Sequence, residues 1–221
     1  MLKPIVIGVD RDGTINHDFH GHFCKHEYWR NEFSFEENAV GGLRKLVAMA
    51  EKRIFVATNQ PGVAKGLFEV SRIREVNNYV QGELAKQGVL LEDWFFCPYV
   101  SREYASSRGI SLDSEWVEKE DKGILSLRKP GIGMIVRAFP KYGLKMENCD
   151  FYFIGDHEFD VRAGLNANGT GCLVLTGHGQ QEKQKVIDLH EKYPGRIIIA
   201  ENLSDMADLI EQRRSAEIAG E

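Results

Sequence analysis

Two aspartates separated by one residue stand at the end of the first apolar run of the chain. The run PIVIGVD covers residues 4–10, so Asp10 is its last residue and Asp12 follows within DRDGT. In an extended chain, residues i and i+2 point to the same side, so the two carboxylates converge. Like charges this close are unfavourable unless a cation or a shared proton relieves their repulsion. The pattern fits solvated loop acids or a catalytic or metal site, and Gly13 and Thr14 after a buried strand favour the second.

A second candidate group follows the run RIFVAT at residues 53–58. Thr58 is the last residue of this run, and Asn59 and Gln60 come next. A hydroxyl and backbone amides at such a place can hold an anionic oxygen. A lone threonine is more often a cap or turn residue, so this hypothesis depends on the other motifs.

Two basic residues precede a predicted helix. Lys129 stands immediately before Pro130, and helix N-termini favour anions, which a neighbouring lysine would reinforce. Arg128 carries a planar fork of donors that suits a second phosphate or a sugar. Taken alone, both residues are equally consistent with surface charges.

A second pair of aspartates follows a later apolar run. Asp156 ends FYFIGD at residues 151–156, and Asp160 comes four residues later, near a predicted helix start. Magnesium takes oxygen ligands and keeps several waters, so few carboxylates are needed to bind it. The alternative is two ordinary aspartates at a helix start.

The stretch HDFHGHFCKH, residues 17–26, concentrates four histidines and one cysteine just after Asp12. By type, His17, His20, His22, Cys24 and His26 could ligate zinc. A solvated loop rich in histidine is the alternative.

The elements that must position these residues are strands alternating with helices. Six short runs rich in β-branched or aromatic residues indicate buried strands, and amphipathic helical patterns separate them. This alternation predicts an α/β fold, a Rossmann-like three-layer α/β/α sandwich with a central parallel sheet. Ligands of such sheets bind at the carboxyl ends of the strands. The runs are 4–10, 53–58, 93–97, 151–156, 171–176 and 196–200.

Residues 98–128 interrupt the alternation with a polar, charged stretch that has no sustained period. A connection this long is usually functional or disordered. Because it follows the third strand, we expect it to lie over the carboxyl end of the sheet as a substrate loop or small cap, with no large cap domain. We expect one domain over residues 1–213 and a flexible tail over 214–221.

Composition limits the classes of function. The chain has 221 residues, is 43% hydrophobic and carries a net charge of −5. This balance argues against broad binding to nucleic acid or anionic membrane, but it permits a small phosphorylated ligand. With no run near the roughly 18 apolar residues of a membrane span and no signal-peptide pattern, we expect a cytoplasmic protein.

Taken in order, the motifs resemble those of the haloacid dehalogenase superfamily of phosphatases. The set is DxDGT, then a threonine, then a lysine, then GDxxxD, and the resemblance runs from about residue 4 to 179. DRDGTIN, TNQPGVAKG, RKPGIGM and GDHEFDVRAG are similar to the D-glycero-D-manno-heptose 1,7-bisphosphate phosphatases and the related histidinol-phosphatase domains.

The resemblance implies a role for each matching residue. Asp10 would be the nucleophile that forms an aspartyl-phosphate, and Asp12 the general acid and then the base. Thr58 and Lys129 would hold the transferring phosphoryl group. Mg²⁺ would be bound by Asp10, the Asp12 carbonyl and Asp156, with Asp160 a weaker candidate. The stretch at 17–26 would be a flap whose histidines contact substrate rather than metal. The implied substrate-binding residues are Asn59, Gln60, Arg128, His20, His22 and His157.

The sequence departs from those relatives in three ways. They carry a zinc loop, C-x-H … C-x-C, before Arg-Lys-Pro, but here Cys97 is accompanied by Tyr99, Leu125 and Leu127. Zinc in a structural site needs four ligands, so we predict no zinc there. The loop is also longer here, and His157 stands where relatives often have lysine.

These observations predict a magnesium-dependent phosphomonoesterase for a small phosphorylated sugar, with heptose bisphosphate as the first candidate. Histidinol phosphate or another sugar phosphate is the near alternative. A polynucleotide 3′-phosphatase is opposed by the acidic stretch DSEWVEKED, and a non-catalytic phosphosugar-binding module by the intact motifs. We expect a monomer or small homo-oligomer.

Overall fold

The fold is built on one sheet of six parallel strands. The computed structural model describes residues 3–18 and 21–219. Spatially the strands run β3-β2-β1-β4-β5-β6, and every neighbouring pair is parallel. They are β1 Ile5–Val9, β2 Lys52–Asn59, β3 Asp93–Cys97, β4 Asp150–Gly155, β5 Thr170–Val174 and β6 Ile197–Ala200. The predicted strands and the predicted parallel α/β architecture are confirmed.

Eight helices and four short 3₁₀ turns connect the strands. The helices are α1 Trp29–Glu32, α2 Ala39–Ala48, α3 Val70–Lys86, α4 Arg102–Ser107, α5 Gly133–Ala138, α6 Glu158–Asn166, α7 Gly179–Ile187 and α8 Leu203–Ala219. The 3₁₀ turns are Phe23–Lys25, Gly123–Leu125, Phe139–Tyr142 and Met146–Asn148. These elements are those of the described residues.

Successive strand residues face opposite helical layers, as the period of two requires. In β1, Ile5 and Ile7 pack in the cluster that contains side chains of α2, α3 and α8, while Val6 packs in the cluster that contains side chains of α5 and α6. A further cluster joins α6 and α7 to β5. Since both faces of the sheet are covered, the fold is the three-layer sandwich that the sequence predicts.

The segment 98–128 is more ordered than its lack of period suggested. It contains α4 and a 3₁₀ turn, and a parallel bridge joins Val100 to Val117. Val100, Ala105 and Val117 are buried together against Ala64, which lies in the turn after β2. The segment is therefore a small folded unit with its own apolar centre, leaning on the loop that carries the TNQ motif.

Helix α8 runs through the expected boundary at residue 213. It continues without a break to Ala219, and Arg214 is buried. The boundary itself stays a prediction. Among the residues described, no helix has the length and apolar character needed to cross a membrane.

Candidate active site

The carboxyl ends of three neighbouring strands bring the acidic motifs together. Asp10 directly follows β1 and Asp156 directly follows β4, while Thr58 is the second-to-last residue of β2. The backbone N–H of Asp10 donates to Ile154 O at 2.8 Å, which ties the end of β1 to β4. All three functional side chains are buried. The sheet order explains this convergence, because β1 lies between β2 and β4.

Lys129 is held between two of these carboxylates. Its Nζ lies 2.7 Å from Asp10 Oδ1 and 2.7 Å from Asp160 Oδ1, and its side chain is only 1% exposed. Burial acts to lower the pKa of Lys129, but Asp10 and Asp160 outweigh it and raise that pKa above its usual value. Lys129 is therefore a positive charge held beside the Asp10 carboxylate.

Asn59 positions this lysine through the backbone. Asn59 Oδ1 accepts from Lys129 N–H at 3.0 Å, and Asn59 Nδ2 donates to Lys129 O at 3.1 Å. Both ends of the amide are thus used within the protein. The resemblance implies substrate contact for Asn59. In this structure its side chain joins the end of β2 to the backbone of Lys129.

Asp12 is held by a fork of donors. Arg11 Nε and Nη2 donate to its two carboxylate oxygens at 2.9 and 2.7 Å, Gln60 Nε2 donates at 2.6 Å, and Asn16 Nδ2 at 3.1 Å. Burial acts to raise the pKa of Asp12, but the Arg11 guanidinium and these hydrogen bonds prevail and lower it. Asp12 is therefore ionised in this state, which suits a base; acting as an acid requires it to take up a proton first.

Gln60 is likewise engaged inside the site. Besides Asp12, its Nε2 donates to Thr58 Oγ1 at 2.9 Å. Arg11 is itself fixed by α3, because its Nη1 donates to Asn77 Oδ1 at 2.7 Å. The side chains of Thr58, Gln60 and Arg11 thus form one network around the Asp12 carboxylate.

Three carboxylates form a group that suits a hard cation. One oxygen each of Asp10, Asp156 and Asp160 lies within 4.8 Å of the others. Asp156 Oδ1 is buried with no hydrogen-bond partner, although a buried carboxylate oxygen normally has one. Burial, with repulsion from Asp156 and Asp12, raises the pKa of Asp10 to about 6 against the opposing charge of Lys129. The negative excess and the unpartnered oxygen fit a divalent ion with oxygen ligands such as Mg²⁺.

The predicted ligands are not equivalent within this group. Asp160 Oδ2 accepts from the backbone N–H of His157 at 3.0 Å while Oδ1 faces Lys129. Asp160 is therefore already occupied by the protein, in keeping with its weaker candidacy. The Asp12 side chain is not in this group, which leaves its backbone carbonyl as the contact that the resemblance implies.

The glycine of DRDGT is required by close approach. Gly13 has φ +78°, and a Cβ there would lie 2.1 Å from Asp156 Oδ2. Thr176 Oγ1 donates to Gly13 O at 2.8 Å, so the loop after β5 also supports this turn. Gly13 therefore lets the DxDGT loop contact the GDxxxD loop. Any side chain at position 13 would displace the Asp156 carboxylate.

The His-rich stretch is anchored by two apolar side chains, while Lys25 and His26 are exposed. Phe23 and Cys24 are buried, and the Phe23 ring meets Trp29 edge-on at 5.9 Å. His22 Nε2 lies 2.9 Å from Lys65 Nζ; burial, then the Lys65 charge, lowers the pKa of His22 to about 4. This imidazole is neutral at physiological pH and accepts from the lysine. His20 lies outside the described residues.

Arg128 and His157 contact different sets of side chains. The Arg128 guanidinium is 4.9 Å from the centre of the Tyr104 ring, and its Nη1 is buried without a partner. The His157 ring stacks on Phe159 and on His178, each at 4.5 Å between centroids.

Sequence reasoning missed two residues beside the site. His178 N–H donates to Asp156 Oδ2 at 2.8 Å, and Tyr104 of the 98–128 segment faces Arg128. A positional signal for His178 existed, since it follows β5 at the carboxyl edge. No motif marked Tyr104.

The chain is similar to known phosphatases. Residues 126–206 match a family model described as HAD-hydrolase-like. The chain is 33% identical to the D-glycero-beta-D-manno-heptose-1,7-bisphosphate 7-phosphatase of Yersinia pestis over 77% of this chain and 80% of that protein. The corresponding enzyme of Escherichia coli K12 is 31% identical over 80% and 83%.

A relative from Campylobacter jejuni, named for the alpha anomer of the same sugar, is 29% identical over 82% of this chain and 87% of its own. Among solved structures, a D,D-heptose 1,7-bisphosphate phosphatase from B. bronchiseptica, complexed with magnesium and phosphate, aligns with a TM-score of 0.70. The alignment covers 95% of this chain and 99% of that one at 23% identity, and it shows a shared fold.

Proposed function

Because this chain belongs to the haloacid dehalogenase-like phosphatases, we propose that it removes a phosphate from a small phosphorylated sugar, with D-glycero-D-manno-heptose 1,7-bisphosphate as the first candidate. The observation that carries the proposal is the buried group of Asp10, Lys129 and Asp156 at the carboxyl edge of the sheet. It joins a carboxylate nucleophile, a fixed cation and a carboxylate oxygen with no protein partner.

The chemistry begins at Asp10. Its carboxylate attacks phosphorus, the bond to the sugar oxygen breaks, and an aspartyl-phosphate forms on Asp10. Lys129, 2.7 Å from that carboxylate, stabilises the negative charge on the phosphoryl oxygens. Bound Mg²⁺, held by Asp10, Asp156 and the Asp12 carbonyl, would supply further charge neutralisation. Thr58 contributes a hydroxyl at the same edge.

Asp12 handles the proton. It gives a proton to the leaving sugar oxygen, which requires that it be protonated when substrate is bound. In the second half, the ionised Asp12 takes a proton from the water that attacks the aspartyl-phosphate. Arg11, Gln60 and Asn16 hold its carboxylate in place through this exchange.

A cluster of cations supports a substrate with a second phosphate. Lys65, Arg108 and Arg128 all approach the face of the Tyr104 ring, at 5.8, 5.7 and 4.9 Å from its centre. Within the described part of the chain, none of the three forms an ion pair with a carboxylate. Glu118 is the acid that acts on Arg128 from nearby. The positive charge of these three side chains is thus available to a ligand, which suits a second phosphate better than the amine of histidinol phosphate.

The test is a comparison of kcat/KM for heptose 1,7-bisphosphate, heptose 7-phosphate and histidinol phosphate, with and without Mg²⁺. We expect turnover to require Mg²⁺ and to fall in that order. Arg108→Ala should raise KM for the bisphosphate about fivefold, as loss of one charged contact predicts, with little effect on the 7-phosphate.

Arg102→Ala, an exposed arginine at the start of α4, the helix that Arg108 directly follows, is the matched control and should change neither value. Equal rates on all three esters would reject the heptose substrate while leaving a phosphatase. No turnover of any ester by folded, Mg²⁺-loaded protein would reject the phosphatase.

A further inference from the structure

Two histidines adjoin the carboxylate group at Asp156. Asp156, His157 and His178 each offer one ligand atom, and these atoms lie within 4.8 Å of one another. His178 Nδ1 lies 3.2 Å from Asp156 Oδ2. The two imidazole rings stack with their centroids 4.5 Å apart and their planes 25° from parallel. This places two nitrogen ligands and one carboxylate around one point.

The donor set differs from that of the neighbouring magnesium group. Mg²⁺ prefers oxygen ligands in octahedral geometry, whereas imidazole nitrogens suit Zn²⁺ and the other late first-row divalent ions. Two histidines with one carboxylate leave a tetrahedral ion one position for water. We propose that Asp156, His157 and His178 bind a late first-row transition ion, with Zn²⁺ as its type, at a site next to the magnesium group and sharing Asp156 with it.

The backbone fixes both histidines in place before any ion arrives. The N–H of His178 donates to Asp156 Oδ2, and the N–H of His157 donates to Asp160 Oδ2. Each histidine is thereby tied to a carboxylate of the buried group, and only the imidazoles remain to adjust.

Access and charge also favour a cation. The His178 side chain is 46% exposed while Asp156 is fully buried, so an ion from solvent meets the imidazole first and the carboxylate behind it. Glu182 of α7 adds negative charge close to both imidazoles, and its Oε2 accepts from Glu158 N–H at 3.3 Å. The site is thus open on one side and acidic on the other.

Sharing Asp156 makes the two ions antagonists. Two divalent ions on one carboxylate repel each other, and Zn²⁺ on the histidines draws electron density from the carboxylate that Mg²⁺ needs. Zn²⁺ should therefore bind the Mg²⁺-free protein more tightly than the Mg²⁺-loaded protein. This inference concerns metal binding in the absence of substrate and stands apart from the phosphatase proposal.

The experiment measures binding of ZnCl₂ to chelator-treated full-length protein by calorimetry, and of CoCl₂ by the visible absorption of nitrogen-coordinated cobalt. His178→Ala and His157→Ala should each weaken Zn²⁺ binding tenfold or more, the range expected for loss of one ligand or its support. Saturating Mg²⁺ should weaken it in the unsubstituted protein.

Two control variants separate this site from others. His190→Ala removes an exposed histidine just beyond α7, and His22→Ala removes one from the His-rich stretch. Both should leave Zn²⁺ affinity within twofold. His178→Asn keeps the backbone contact to Asp156 and should still lose affinity, which excludes a purely structural effect. Unchanged Zn²⁺ affinity in a folded His157→Ala/His178→Ala protein, or a loss seen only with His22→Ala, overturns the proposal.

Discussion

Two regions organise their charges in opposite ways. One is the group of buried charges at the carboxyl ends of the strands, here called the edge, and the other is the segment 98–128, here called the cover. At the edge, Lys129 pairs with Asp10 and Asp160 from other elements, and Arg11 pairs with its neighbour Asp12. In the cover, the guanidinium groups of Arg108 and Arg128 lie over the Tyr104 ring instead of pairing with a carboxylate. Paired charges fix a geometry for chemistry, whereas unpaired cations remain available to a ligand. The difference supports our proposal that the edge carries out catalysis and the cover selects the substrate.

Removing the nucleophile gives the largest expected effect. Asp10→Asn cannot form the aspartyl-phosphate, so kcat should fall on the order of 10⁴-fold or more for every substrate. Its fold should persist, because Lys129 keeps its ion pair with Asp160. Steady-state assays with a thermal melt check both. Asp113→Asn, an exposed acid of the cover, should keep full activity. Residual activity above a few per cent in Asp10→Asn contradicts the assignment.

Breaking the central ion pair should cost both stability and activity. Lys129→Met leaves Asp10 and Asp160 facing each other without their cation, and breaking a buried pair typically costs about 3–5 kcal/mol. Urea denaturation should show this loss in Mg²⁺-free protein and partial recovery with Mg²⁺. The surface counterpart Lys185→Met, which loses only an exposed pair with Glu182, should leave the unfolding midpoint almost unchanged. Equal losses in the two variants would remove the distinction between edge and surface.

The pH dependence tests the electrostatics of the edge. The pKa of Asp10 is raised to about 6 by burial and by its acidic neighbours. A carboxyl with a raised pKa is protonated, and so not nucleophilic, below that pH. Activity at limiting Mg²⁺ should therefore rise with pH through about 6, and the rise should move to lower pH at saturating Mg²⁺, because a cation favours the ionised form. A pH profile unaffected by Mg²⁺ would be inconsistent with a shared carboxylate group.

Packing gives the smallest expected effect and compares the two regions directly. Val56→Ala opens a cavity in the sheet core and should lower the free energy of unfolding by about 2 kcal/mol. Val117→Ala, in the small apolar centre of the cover, should lower it by about 1 kcal/mol or less while speeding local hydrogen exchange over 98–128. Hydrogen exchange with urea denaturation measures both. A global loss at Val117 as large as that at Val56 would mean that the cover folds as part of the core.

The sequence predicts the edge better than the cover for a physical reason. Asp10, Thr58 and Asp156 each end a recognisable apolar strand, and parallel strands deliver their carboxyl ends to one place. The roles of Asn59 and Gln60 could not be predicted from the sequence. Asn59 bonds to Lys129 and Gln60 to Asp12, and these partners lie 70 and 48 residues away in the chain.

Other features depend on contacts between distant elements that carry no local pattern. His178 meets Asp156 across two strands, and Tyr104 gathers cations from three separate segments. The end of α8 was missed because a polar sequence concealed the buried Arg214. A pattern of residue types reports which strand a side chain follows, but it does not report which partner the fold will bring to it.

The position of β3 at the border of the sheet has a consequence for how this protein can diversify. Among the described strands only β2 pairs with it, so the long connection after its carboxyl end leaves from the outermost strand of the sheet. The strands that hold Asp10 and Asp156 are interior and are paired on both sides. A segment attached in this way can be lengthened, shortened or exchanged as a cassette, and the reacting groups keep their register while the choice of ligand changes.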